Sequence, residues 1–237
     1  MSIIVAVLAI QGGGKTSSYC NVPSLGISGL DPKSTFLISV NDKELKYKGW
    51  RKDYTTIAQS PDKKGYVGNY LATRDYGIIN QALVAAKSMP NIKAVVIDDA
   101  NYLMANELIE KVNVTGYDKF TQMAKKFRDM VENCRTLRRD QVVYIMSHVE
   151  RTEDPNEPYR MQTVGKMLHE KLNIQGLFSI VLFMRKENKG GGEIEHQFVT
   201  SYDGEFNAKS EPDMFKEKYI KNDLALVDAA VRDYYEL

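Results

Sequence analysis

Cysteine is almost missing: Cys20 and Cys134 are the only two in 237 residues. Their separation matches neither a metal-binding repeat nor a disulfide framework, so a stapled secreted scaffold and a zinc module are excluded and a reduced cytoplasmic setting is the default. No cluster of His, Cys, Asp and Glu has the spacing of a metal site. Long apolar runs are also lacking, since nothing approaches the roughly 20 residues that a membrane span requires. The apolar stretch Ile3 to Ile10 has no positive charge before it and no small-residue cleavage site after it, so it does not read as a signal peptide. Charge of one sign is lacking too. With 32 Lys and Arg against 31 Asp and Glu, the formal net charge is +1. No global field therefore draws the chain to nucleic acid or membrane, and any such contact must come from local patches. There is no internal repeat and no disordered composition. A content of 43% hydrophobic and 27% charged residues is enough to bury one sizeable core, as a single domain over residues 1–237.

What is present starts at residue 3. The run Ile3-Ile4-Val5-Ala6-Val7-Leu8 leads into Ala9-Ile10-Gln11-Gly12-Gly13-Gly14-Lys15-Thr16, followed by Ser17-Ser18-Tyr19-Cys20. A buried strand feeding a glycine turn that opens a helix reads as a phosphate-binding loop. Backbone N–H groups from Gln11 to Ser17 and the positive end of the helix would face a triphosphate. Lys15 would reach the β- and γ-phosphates, and the Thr16 hydroxyl would hold Mg²⁺. Glycines at 12, 13 and 14 let the backbone approach the phosphate oxygens. The glycine that usually opens this loop is replaced by Ala9. The bland alternative is a glycine hairpin with a chance lysine.

Further along, Val22-Pro23 ends the first helix early, and Thr35–Val40 reads as a second buried strand. Residues 51–70 read as irregular. A helix is expected over 75–89, stopped by Pro90. Ala94-Val95-Val96-Ile97 is a third buried strand, ending in the carboxylates Asp98 and Asp99. In a nucleotide-binding sheet such a strand is expected beside the first, with Asp98 facing the Mg²⁺ waters and Asp99 positioned to orient or deprotonate an attacking water. Alone, an apolar run plus Asp is an ordinary strand end with a helix cap. Glu107 is the second choice for positioning water.

Two helices follow, Asn101–Lys111 and Asp118–Arg138, the latter with an apolar stripe from Phe120 to Leu137 at three- and four-residue steps. Arg135, Arg138 and Arg139 read as a solvated face or a basic patch. Gln141–His148 is another buried strand, whose Ser147 and His148 are candidates to sense the γ-phosphate or to serve structure alone. Residues 150–160 read as a loop, 163–172 as the start of a helix, 178–184 and 195–202 as a hairpin around Gly190-Gly191-Gly192, 212–219 as a short helix, and 224–235 as the last helix. Alternating strands and helices argue for a mostly parallel α/β sheet with helices on both faces, ligands at the strands' carboxyl ends, and a C-terminal β-hairpin.

The segments Asp31-Pro32-Lys33 to Phe36, Lys48-Gly49-Trp50, Val96-Ile97-Asp98-Asp99, Gly116-Tyr117-Asp118-Lys119-Phe120, Thr163 to Leu168 and Ala208-Lys209-Ser210 carry a resemblance across essentially the whole chain. It resembles phage-encoded RecA-like AAA-type P-loop ATPases, nucleotide-binding proteins linked to single-strand annealing and recombination. The resemblance implies a RecA-like core, Mg²⁺-dependent ATP hydrolysis, and assembly into a homo-oligomeric ring or filament. It implies a host-cytoplasmic location if the chain is phage-encoded, and a phage recombination or replication protein as partner. In such assemblies a basic residue near the final strands reaches a neighbour's γ-phosphate, and Lys209 takes that place here. The family often continues with a second basic residue, where this chain has Ser210-Glu211. Single-stranded DNA would be met by loops mapping to 150–163 and 186–193, with Arg151, Arg160, Lys186 and Lys189. Two rival functions share the phosphate loop: a nucleotide or small-molecule kinase with a lid bearing Arg151 and Arg160, and a non-hydrolysing module in which ATP only sets assembly.

Overall fold

The computed structural model describes residues 1–164 and 174–237. The helix expected over Gly165 to Leu172 lies outside them. Strands β1 (Ile3–Ala9), β2 (Thr35–Ser39), β5 (Tyr70–Ala72), β6 (Ala94–Asp98), β7 (Val142–Arg151) and β9 (Ile180–Gly190) form the parallel centre of a sheet. Antiparallel β10 (Glu193–Val199) and β11 (Tyr219–Lys221) extend it on one side, giving the order β11-β10-β9-β1-β7-β6-β2-β5. Strands β3 (Ala58–Gln59) and β4 (Tyr66–Val67) pair separately.

Both faces of the sheet are covered, which explains why the parallel strands are apolar without alternation. Successive side chains of β1 point to opposite faces. Ile4, Ala6 and Leu8 join a core with helices α3 (Tyr76–Ser88), α4 (Asn101–Glu110) and α5 (Asp118–Cys134). Val5, Val7 and Ala9 join a second core with α1 (Lys15–Tyr19), α2 (Trp50–Asp53) and α6 (Leu224–Tyr235). On α5 the expected stripe is buried at Met123, Ala124, Phe127, Met130, Val131 and Cys134, while Phe120 at its start is only half-buried. Helix α3 starts where the Asp75 carboxylate accepts from the Ile78 amide, and α6 where Asp223 accepts from Ala225. The two cysteines sit in opposite cores, and burial pushes both thiols up to about 12. Among the described residues no helix is long and apolar enough to cross a membrane.

Four expectations are corrected. Strand β6 does not lie beside β1: β7 stands between them, pairing Ala94 with Val142 on one side and Ile3 with Val142 on the other. Residues 150–160 are not all loop, because β7 runs on to Arg151 and turns back as β8 (Tyr159–Met161), pairing Val149 with Met161. The stretch 51–70 is not all irregular: it carries α2, the paired strands β3 and β4, and the first residue of the edge strand β5, which takes its register from β2. No helix forms over 212–219. Turns there deliver the chain to β11, which pairs with β10, and the ladder partners Phe198 and Ile220 outweigh a short helical pattern.

Candidate functional site

Strand β1 ends at Ala9, level with His148 of β7, and β6 ends at Asp98, level with Ser39 of β2. These carboxyl ends open onto a cavity of about 810 Å³ lined by residues 11–17. The three loop glycines are required for different reasons. Gly12 and Gly14 have φ of 71° and 97°, values that side chains rarely adopt. Gly13 is needed for space: a Cβ there would lie 2.9 Å from both the Ala9 Cβ and the Ile10 carbonyl oxygen. The Gly13 amide donates to that same carbonyl at 3.0 Å, so it is committed to the turn and not to a ligand. Helix α1 begins at Lys15, held by the Ser18 amide donating to the Gly14 carbonyl and the Ser18 hydroxyl to the Lys15 carbonyl.

Asp98 is 7% exposed. Its Oδ2 accepts from the Tyr19 hydroxyl at 2.8 Å and from the Thr16 hydroxyl at 3.1 Å, whereas its buried Oδ1 has no partner. Burial, reinforced by the neighbouring Asp99 charge, holds the Asp98 carboxyl above its ordinary range despite those two donors and Lys15. A buried carboxylate oxygen without a donor is a costly feature that a cation relieves. An oxygen-only pair of one hydroxyl and one carboxylate suits Mg²⁺, which keeps waters and phosphate oxygens as its other ligands. Among the described residues no group of three or more His, Cys, Asp or Glu could hold a metal by itself.

Asp99 behaves oppositely. Its backbone takes φ of 60°, a left-handed conformation uncommon outside glycine that turns the chain between β6 and α4. The carboxylate accepts from Lys43 Nζ at 2.6 Å and Asn41 Nδ2 at 3.2 Å, and lies 3.9 Å from Lys15 Nζ. Burial would raise its pKa, but the Lys43 hydrogen bond and the charges of Lys15 and Lys43 hold it below the usual range. Lys15 Nζ stands 3.1 Å from Nδ1 and 3.3 Å from Nε2 of His148. Burial lowers the Lys15 ammonium, opposed by Asp99 and Asp98, and burial together with the Lys15 charge lowers His148, favouring a neutral imidazole. The imidazole is set edge-on to Tyr102, with centroids 5.8 Å apart.

The expected residues Gly12, Gly13, Gly14, Lys15, Thr16, Asp98, Asp99 and His148 are thus gathered at one end of the sheet; all but the buried Asp98 line the cavity, as do Gln11 and Ser17. Others lie elsewhere. Ser147 is fully buried, with its hydroxyl 3.4 Å from the His148 carbonyl. Glu107 pairs with Lys111 and Lys126 at 2.8 and 2.7 Å and does not line the cavity. Lys209 is exposed, and its backbone pairs with Val181, which is level with Ala6. That is three residues, about 10 Å, short of the end of β1. Arg160 is held by Glu150 at 2.8 Å, and Arg151 is exposed on β7. Lys186 reaches toward Gly12, whose added Cβ would lie 3.9 Å from its ammonium, and Lys189 lines the cavity while pairing with Glu187 and Glu195.

Sequence reasoning passed over Tyr19, Asn41, Lys43, His196 and Asn222. His196 Nδ1 lies 2.8 Å from the Gly13 carbonyl oxygen, and Asn222 Nδ2 donates to the Gly14 carbonyl at 3.2 Å. Position alone offered a signal for Asn41 and Lys43, which immediately follow a buried strand. Nothing local marks His196 or Asn222, which the β9–β10 hairpin and β11 bring across the sheet. No protein-family model and no curated protein matches the chain.

Proposed function

We propose that the chain is a RecA-like P-loop domain that binds and hydrolyses ATP with Mg²⁺. The observation that carries this reading is Asp98: a buried carboxylate with one unpaired oxygen, 3.1 Å from the hydroxyl that follows Lys15 in a glycine loop. Thr16 and Asp98 would hold the Mg²⁺, which would supply charge neutralisation for the phosphates. Lys15 leaves His148 and Asp99 for the γ-phosphate, and the free loop amides add fixed dipoles that need no reorganisation. Asp99, kept ionised by Lys43, accepts a hydrogen bond from the attacking water and aligns it with the phosphorus. Water adds as the bond to the ADP oxygen breaks, releasing ADP, phosphate and a proton. His148, beside Lys15, senses the γ-phosphate.

The α/β architecture with a parallel centre supports this assignment. Among the described residues no arginine lines the cavity, which disfavours the kinase reading with its arginine-bearing lid. Action on single-stranded DNA, in a ring or filament and beside a phage recombination or replication protein, is a separate proposal. It rests on the resemblance and on Lys186 and Lys189, on a hairpin that reaches the phosphate loop. In a homo-oligomer the exposed Lys209 serves the neighbouring subunit.

The test is phosphate release from Mg-ATP by purified protein and by Lys15→Ala. Hydrolysis that disappears in the variant supports the proposal. Equal rates refute it, and tight ATP binding without phosphate release selects the assembly module. A DNA-independent ATPase rate and unchanged DNA mobility remove the nucleic-acid part.

A further inference from the structure

The catalytic cluster occupies one side of the cavity. Lys15, on β1's continuation, meets Asp99 at 3.9 Å from the β6 side of the cavity, with β7 lying between the two strands. A triphosphate whose terminal group faces Asp98 and Asp99 therefore directs its other end the opposite way, toward β9 and β10. There the wall changes character. Leu25, in the turn after α1, and Ile194, near the start of β10, both line the cavity yet are 59% and 57% exposed. Their elements are tied to the phosphate loop and to each other. Lys221 Nζ donates to the Gly26 carbonyl at 2.6 Å, His196 holds the Gly13 carbonyl at 2.8 Å, and Asn222 holds that of Gly14 at 3.2 Å. Asn222 also lines the cavity, is 2% exposed, and has an amide oxygen with no hydrogen-bond partner.

We propose that Leu25 and Ile194 form an apolar clamp for the flat base of a nucleoside triphosphate, with the Asn222 amide oxygen accepting a hydrogen bond from the nucleoside. The inference rests on the triphosphate reading above and adds the part of the ligand that this reading leaves open. Two exposed aliphatic side chains on a cavity wall keep apolar surface in contact with water, and an aromatic base removes it. The unpaired acceptor supplies the polar contact that apolar pockets use to orient a ligand. Because separate elements carry the clamp, each pinned to a loop carbonyl or to Gly26, the base is held at a set distance from the phosphates.

Calorimetric titration with Mg-ATP and with magnesium and inorganic tripolyphosphate separates the clamp from the phosphate loop. The wild-type chain is expected to bind ATP roughly tenfold or more tightly than tripolyphosphate. In Leu25→Ser/Ile194→Ser that preference disappears while tripolyphosphate binds as before. Both substitutions fall at exposed positions, and an unchanged melting temperature checks that the variant is folded. If wild type binds the two ligands equally, or the double variant keeps its preference for ATP, the clamp is refuted while the phosphate loop stands. If neither ligand binds wild type, the triphosphate reading itself fails.

Discussion

Asp98 should be a liability to the ligand-free fold, and that cost can be measured. Its Oδ1 is buried and unpartnered, and burial with the Asp99 charge disfavours its ionised form. Asp98→Asn keeps an oxygen to accept from Tyr19 and Thr16 and replaces the unpaired half of a charge with a neutral amide. The new amide N–H₂ is as buried and unpartnered as the oxygen it replaces, so only the extra cost of burying a charge is removed, and the substitution should stabilise the ligand-free chain by about 1–2 kcal/mol. For a chain of this length each kcal/mol shifts the melting temperature by roughly 2–4 °C, so a rise of about 5 °C is expected. Wild type in turn should gain stability in Mg-ATP as the logarithm of ligand concentration over Kd, and the variant should gain far less. Differential scanning fluorimetry with and without Mg-ATP reads both effects. A variant that melts lower than wild type without ligand, or that keeps the full Mg-ATP shift, would refute the proposal that Asp98 helps to hold a cation.

Two more outcomes follow from the geometry. Gly13→Ala should destabilise the chain by about 1–3 kcal/mol through overpacking, since the new methyl meets Ala9 and the Ile10 carbonyl at 2.9 Å. Adding Ala9→Gly should recover part of the loss, and urea denaturation showing simple additivity would deny the contact. For Glu107, burial would raise the carboxyl, but Lys111 and Lys126 hold it low. A depressed carboxyl contributes stability above its unfolded pKa and loses it as pH falls through the folded value. Glu107→Gln should therefore be about 1–2 kcal/mol less stable than wild type at pH 7, with the gap closing as pH falls below the usual carboxylate range. A gap that is constant across pH would show that the ion pairs contribute nothing.

Local chemistry made half of the site legible from the chain alone. The strand, glycine turn and Lys-Thr pair between residues 3 and 16 announce themselves because a phosphate loop is built from consecutive residues. Asp98 and Asp99 stand out only beside that loop, because an apolar run ending in acids is by itself an ordinary strand end with a helix cap. Helix α6 was readable to the residue, since an Asp cap and a regular apolar stripe are local signals. Even Ala9, the one departure from the usual loop, has its consequence within four residues, where Gly13 leaves the space that the Ala9 methyl needs.

Strand order was decided only in three dimensions. That β7 separates β1 from β6 depends on which apolar edges pair, and those runs are chemically alike. The turns at 212–219 feed β11 because a ladder with β10 is available, a partner no local pattern reveals. Lys43 and Asn41 meet Asp99 from residues 56 and 58 positions away, and His196 and Asn222 meet the loop from residues 183 and 208 positions away. Consecutive residues specify the glycine loop through backbone conformation and side-chain size. The surroundings that hold its lysine, pair its acids and wall its cavity come from distant segments, and only the packing of the sheet brings those together.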